Sequence, residues 1–104
     1  MAPLSPMISI ASKIARDAGH FLRQHFGKSQ QITQSEAHDI KLQLDVDCQH
    51  LIESQLIRAF PTHSVLGEEG NRGDPQAEYR WIIDPLDGTV NYNYGIPHFC
   101  VSMA

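Results

Sequence analysis

The chain has 104 residues, which is enough for one small domain with its own hydrophobic core. Its 12 Asp and Glu residues outnumber its 8 Lys and Arg residues, giving a net charge of −4, and there is no basic run, so nucleic acid is not expected as a partner. No stretch approaches the ~20 apolar residues of a membrane span and no signal-peptide pattern opens the chain, so we expect a cytoplasmic protein with no membrane partner.

The amino-terminal part of the sequence predicts a long amphipathic helix followed by a strand. Ser5 and Pro6 suit the N-cap and the first position of a helix, and apolar residues then recur at helical spacing until Gly27, which is placed to stop it. Within residues 40–44, apolar residues alternate with polar ones, which is typical of a half-exposed strand.

A second helix and three further strands are predicted after this point. Asp45 and Asp47 can cap the helix, and Pro61 ends it. Residues 64–66 and 79–83 read as strands with a polar, turn-rich loop between them, and the final HFCVSMA also has strand character. Since Trp81, Ile82 and Ile83 are apolar without alternation, we expect both faces of their strand to be covered. This order of elements favours an α/β fold.

The two cysteines are interpreted as small buried residues. Cys48 and Cys100 are far apart and lack C-x-x-C spacing, so neither a zinc site nor a disulfide framework is supported.

Two carboxylates follow the strand of residues 79–83, at Asp84 and Asp87. Pro85 fixes its own φ and keeps Asp84 out of the helical region, so the backbone is expected to turn and aim both carboxylates at one point. Carboxylates that face one point repel each other unless a cation compensates their charge. Hard oxygen ligands favour a hard cation, and Mg²⁺ is the default beside phosphates.

Gly88 and Thr89 come directly after these carboxylates. Glycine lets a ligand approach the main chain closely, and free backbone N–H groups in the turn could bind a phosphate. The combination of metal ligands and an anion seat indicates metal-assisted chemistry on a phosphate ester. An ordinary surface turn is the alternative, because Asp, Pro and Gly are all favoured in turns.

The run WIIDPLDGT with the following Asn91 and Tyr92 resembles the signature of the inositol monophosphatases, which belong to a wider group of metal-dependent, lithium-sensitive phosphatases. VLGEEG is similar to the family's upstream Gly-Glu-Glu element, and GIPHFCVSMA is similar to the strand after its signature. A weaker likeness reaches back to the first helix, so the resemblance covers nearly the whole chain.

The resemblance implies a phosphoric monoester hydrolase that uses Mg²⁺-activated water on small phosphate monoesters, with inositol monophosphate as the first candidate substrate. The Mg²⁺ ligands that it implies are Glu68, Asp84, the main-chain carbonyl of Leu86, and Asp87. The implied substrate-binding residues are Gly88, Thr89 and Asp87, and the implied catalytic residues are Glu68 and Thr89, which orient the water, and Asp45, which hydrogen-bonds Thr89. Asp47 replaces Asp45 if the register slips, and Glu69 lies beside the site.

Family members are much longer than this chain. The resemblance therefore implies that residues 1–104 are the amino-terminal portion of a single domain whose carboxy-terminal half is absent, within a layered αβαβα sandwich fold. We expect the isolated chain to fold poorly and hydrolyse little, and the full-length protein to form a homodimer. The alternatives are a phosphatase of 3′-phosphonucleotides or sugar bisphosphates, and a noncatalytic fragment with a weak metal site or a dimer surface.

Overall fold

The computed structural model describes residues 4–28, 32–36, 39–68, 70–95 and 100–104. In these ranges the elements follow one another as α1 (Leu4–His25), β1 (Ile32–Glu36), β2 (Asp39–Leu42), α2 (Gln43–Ala59), β3 (Ser64–Gly67), β4 (Gly70–Arg72), β5 (Arg80–Asp87), α3 (Thr89–Asn93) and β6 (Cys100–Met103).

The main sheet has the strand order β4-β3-β5-β6. Strands β3 and β5 are parallel, whereas β4 and β6 are antiparallel to their neighbours. Strands β1 and β2 form a separate antiparallel pair that leads into α2. Helices combined with a mixed sheet confirm the predicted α/β class.

Helices α1 and α2 pack together and form the core with the sheet. The buried apolar residues that meet there are Ile14, Ala18, Leu22, Leu42, Leu44, Cys48, Ile52, Leu56, Val65, Ile83, Leu86 and Tyr92. The prediction for Gly27 is confirmed, because α1 ends at His25 and Gly27 has a φ of 81°, in the region that glycine adopts most readily. Helix α1 already includes Leu4, so Ser5 is not its N-cap as predicted.

Helix α2 begins earlier than the sequence predicted, because its N-cap lies three residues before Asp45 and five before Asp47. Its N-cap is Leu42, and the Leu42 amide donates to Asp45 Oδ2 at 3.0 Å. Asp45 therefore satisfies one of the free N–H groups at the helix start from inside the first turn. As a result the strand predicted for residues 40–44 ends at Leu42, and Gln43 and Leu44 belong to the helix.

Strand β5 departs from its prediction in length and in burial. It runs on through Asp84 and Pro85 to Asp87, with an irregular register against β6 between the two aspartates. Ile83 is buried, but Ile82 is 54% exposed, so in the described residues one face of the strand is covered and not both as expected. Side chains alternate across a strand, and among the described residues the helices bury only the face that carries Ile83.

Strand β4 falls within the stretch that was predicted to be loop. Its three residues, Gly70 to Arg72, are all exposed. None of them is apolar, so the sequence has no pattern here that would indicate a strand. Cys48 is fully buried, as expected, whereas the side chain of Cys100 lies outside the described part of the chain. In the ranges that the structure describes, no helix has the length and apolarity needed to cross a membrane.

Candidate functional site

Two of the predicted site residues, Glu68 and Asp84, lie where two parallel strands end side by side. Strands β3 and β5 pair so that Gly67 is opposite Ile83, and the next residue on each strand is Glu68 and Asp84 respectively. The carboxyl ends of parallel strands meet at one edge of a sheet, which is why two residues 16 positions apart come to the same level. Glu68 is exposed there and Asp84 is half-buried.

The Asp87 carboxylate acts electrostatically on the carboxyl group of Asp84. Burial raises the pKa of the Asp84 carboxyl, a hydrogen bond from the Leu86 amide to Asp84 Oδ1 at 3.3 Å opposes that rise, and the nearby Asp87 carboxylate adds to it. Asp87 itself is exposed. The strand end therefore concentrates negative charge that a cation would stabilise.

The backbone between and after the two aspartates is held by side chains. Cys48 of α2 donates its S–H to the Pro85 carbonyl, with Sγ 3.6 Å from the oxygen. The Thr89 hydroxyl donates to the Leu86 carbonyl at 3.0 Å. Gly88 has a φ of 92°, which a residue with a Cβ rarely adopts, so the turn from β5 into α3 depends on glycine. These contacts fix the direction in which Leu86 and Asp87 leave the strand.

Asp45 and Thr89 each have a described hydrogen bond to another group. The Asp45 carboxylate accepts from the Leu42 amide at the start of α2, and the Thr89 hydroxyl donates within its own turn. Asp45 is only 5% exposed, and its charge reaches the buried Cys48 thiol and the Tyr92 hydroxyl, contributing to the raised pKa of both. Asp47, the alternative to Asp45, is exposed and accepts from Gln43 at 3.1 Å.

The donor groups at this edge of the sheet suit a hard cation. In the described ranges, no three His, Cys, Asp or Glu side chains gather closely enough to hold a metal by themselves. Mg²⁺ does not require such a cage, because it is commonly held by one or two carboxylates together with waters and substrate phosphate. The coupled carboxylates of Asp84 and Asp87, with the Leu86 carbonyl between them, match that donor chemistry. Glu69 lies outside the described residues.

Two buried polar residues near the site were missed at the sequence level. Gln49 and Glu53 of α2 are 0% and 6% exposed, and Gln49 reaches the main chain at Gly70, just beyond Glu68. Their four-residue separation on the face that also carries Ile52 and Leu56 is the signal that could have indicated them.

The sequence profile of the inositol monophosphatase family matches residues 3–104. Among individual relatives, Nus factor SuhB of Pseudomonas aeruginosa is 40% identical over 106 residues, which cover 97% of this chain and 39% of that protein. Inositol-1-monophosphatase of Rhizobium meliloti is 38% identical over 104 residues, covering 96% of this chain and 39% of that protein.

The fold has the same relatives among solved structures. The extragenic suppressor protein suhB of Bartonella henselae superimposes with a TM-score of 0.87 at 31% identity, over 95% of this chain and 40% of that one. The chain thus spans about two fifths of the length of the proteins that it matches.

Proposed function

Because the chain belongs to the inositol monophosphatase family, we propose that the intact protein hydrolyses small phosphate monoesters with the help of Mg²⁺, with inositol monophosphate as the first candidate substrate. The observation that carries the proposal is the parallel pairing of β3 and β5, whose ends are followed by Glu68 and Asp84, with the Asp87 carboxylate acting electrostatically on Asp84. Carboxylates in this position favour a divalent cation and, through it, a phosphate.

In this proposal the metal ligands are oxygen atoms of the two strand ends. Glu68, Asp84 and the Leu86 carbonyl would hold one Mg²⁺, and Asp84 with Asp87 would share a second. When bound, Mg²⁺ makes water a better nucleophile at neutral pH and stabilises the charge of the departing oxygen. A bound positive charge would favour the ionised Asp84 carboxylate, which burial and Asp87 disfavour in its absence.

The remaining site residues would bind and orient the reactants. Gly88 leaves the main chain open to a phosphate, and the Thr89 hydroxyl follows it directly in the turn. Thr89 and Glu68 would orient the attacking water. In the structure the Thr89 hydroxyl donates its one proton to the Leu86 carbonyl. Support from Asp45, at the start of α2, would therefore require this hydroxyl to rotate toward the Asp45 carboxylate. We also propose that the intact protein is a homodimer and works in the cytoplasm.

Asp87→Asn tests this proposal by removing one negative charge while keeping the size of the side chain. Mutation of a residue that only supports a metal ligand typically lowers metal affinity or activity by about 10- to 100-fold. Loss of a direct ligand should therefore lower phosphate release by at least about 100-fold. The measurement is colorimetric phosphate release by the intact protein across a Mg²⁺ series. Asp17→Asn is the matched control, because Asp17 pairs with Lys13 on the surface of α1. Unchanged turnover in Asp87→Asn would remove Asp87 from the metal site.

Related phosphate monoesters are the competing substrates. The short spacing between GEEG and WIIDPLDGT favours the inositol type over phosphatases of 3′-phosphonucleotides or sugar bisphosphates. Parallel assays of the three substrate classes by the intact protein separate these possibilities, and the highest kcat/KM identifies the class.

A noncatalytic role is the second candidate function. It is favoured by the likeness to proteins that are named Nus factor SuhB, such as that of Pseudomonas aeruginosa. A noncatalytic protein would show no Mg²⁺-dependent phosphate release with any of the three substrate classes, and the Asp87→Asn variant would give the same result as the wild-type protein in this assay.

A further inference from the structure

The polar side chains of Gln49 and Glu53 lie on the buried face of α2. They are 0% and 6% exposed, and they share that face with Cys48, Ile52 and Leu56. Burying an amide or a carboxylate is unfavourable unless hydrogen bonds replace those made with water. The partners of these two side chains therefore indicate what the pair holds in place.

The carboxamide nitrogen of Gln49 donates two hydrogen bonds. One goes to Glu53 Oε1 one turn further along α2, at 2.5 Å, and the other goes to the Gly70 carbonyl, at 3.0 Å. A carboxamide nitrogen has two N–H groups, so both are used. Because Glu53 accepts one of them, the amide is oriented with its second N–H toward the start of β4.

The same carboxamide also lies against the end of β3. A Cβ on Gly67 would come within 2.7 Å of Gln49 Nε2, so only glycine fits between the strand and the side chain. Gly67 and Gly70 are register partners, and residues 68 and 69 connect them. Gln49 thus touches both ends of the short turn that begins with Glu68.

Neighbouring residues of α2 reach the two parts of the candidate site. Cys48 donates to the Pro85 carbonyl between the aspartates of β5, and Gln49 donates to the Gly70 carbonyl after Glu68. One turn of a buried helix therefore contacts both strand ends that carry the carboxylates, and it links their positions through packed, hydrogen-bonded groups.

We infer that Gln49 is a positioning residue, which holds the turn between β3 and β4 so that Glu68 faces Asp84. The inference rests on the proposed function, because it assigns Gln49 an effect on the metal that Glu68 would help to bind. Gln49 does not itself contact the metal or the substrate. Glu53 has a supporting role, because it sets the direction of the Gln49 amide.

Gln49→Ala removes both hydrogen bonds and the contact with Gly67. Amide hydrogen exchange in peptides covering residues 65–72 should become faster by about three- to tenfold, the factor expected for one lost hydrogen bond. In the intact protein, the Mg²⁺ concentration for half-maximal phosphate release should rise by about tenfold, with kcat at saturating Mg²⁺ nearly unchanged. Ser54→Ala, an exposed change on the same helix, should alter neither value.

A double variant separates positioning of the turn from simple helix stability. Gln49→Glu with Glu53→Gln restores a donor and acceptor pair inside α2, but it places a carboxylate, which cannot donate, against the Gly70 carbonyl. The hydrogen bond between positions 49 and 53 should be restored, whereas the faster exchange at residues 65–72 and the raised Mg²⁺ requirement should remain.

Recovery of the normal Mg²⁺ requirement in the double variant would overturn the inference, as would unchanged exchange of residues 65–72 in Gln49→Ala. Wild-type protein that shows no response to Mg²⁺ would instead overturn the proposed function. The exchange measurement needs no metal, so it would still decide whether Gln49 holds the turn.

Discussion

Cys48 lies where α2 meets the backbone between Asp84 and Asp87. Its side chain is fully buried, and its S–H is directed at the Pro85 carbonyl. Burial raises the pKa of the Cys48 thiol from 9.0 to about 12, and the negative charge of Asp45 adds to the rise. The thiol therefore stays protonated and acts as a small hydrogen-bond donor.

The thiol of Cys48 should react very slowly in the folded protein. Because only the thiolate reacts, a rise in pKa from 9.0 to about 12 lowers the reactive form at pH 8 by on the order of 1000-fold, before burial blocks access. The test is alkylation of the intact protein with iodoacetamide, with the labelling of the peptide that carries Cys48 followed by mass spectrometry. The same protein in guanidinium chloride is the control, and equal labelling rates in both states would show that Cys48 is not buried.

The raised pKa of Cys48 also determines whether the free energy of unfolding rises or falls with pH. The folded-state pKa of Cys48 is above its ordinary value of 9.0, so the thiol is protonated in both states at lower pH. Between pH 9 and about 12 the unfolded state loses this proton first, and the free energy of unfolding falls as pH rises. Tyr92 acts in the same direction, because burial, together with Cys48 and Asp45, raises its pKa from 10.0 to about 12.

At the scale of elements, α3 closes the carboxyl end of α1. The Tyr92 hydroxyl of α3 donates to the Leu22 carbonyl at 2.7 Å, although the two residues are 70 positions apart. Leu22 lies in the last turn of α1, where carbonyls lack partners within the helix. Phe26, just after α1, packs edge-on against the Tyr92 ring, with centroids 5.5 Å apart. The helix that follows Gly88 and Thr89 is thereby fixed to the core.

Tyr92→Phe tests this link because it removes only the hydroxyl. The Leu22 carbonyl would lose its donor in a buried position, which should lower the free energy of unfolding by about 1 to 3 kcal/mol. The measurement is urea unfolding of the intact protein followed by far-ultraviolet circular dichroism. Tyr94→Phe is the matched control, since Tyr94 is 69% exposed and its change should have little effect. Equal stabilities of the two variants would contradict the link.

The sequence predicted elements best where one local pattern governed the structure. The apolar spacing of α1 and the glycine at position 27 were sufficient for that helix. Strand β4 was missed because Gly70, Asn71 and Arg72 are exposed and depend on pairing with β3, a contact that no local pattern encodes. The buried Gln49 was missed for a related reason, because its partner at Gly70 is 21 positions away.

At the scale of the whole molecule, the sheet order brings the candidate site together. The parallel pairing of β3 and β5 puts Glu68 level with Asp84, and α2 packs behind both strand ends. The motif around Asp84 was sufficient to predict the candidate carboxylates and the family, because the motif consists of residues that are adjacent in the sequence. The exposure of Ile82 was not predictable from an apolar run, because it depends on which elements cover each face of the sheet.

The proposed function requires that the carboxylates at the end of the sheet bind Mg²⁺. Isothermal titration calorimetry of the intact protein with MgCl₂, with and without orthophosphate, measures this binding. We expect saturable heat from the wild-type protein that increases in the presence of orthophosphate and is lost in Asp84→Asn, because that change removes the carboxylate assigned to both ions. Absence of any binding heat from the wild-type protein, under both conditions, would contradict the claim.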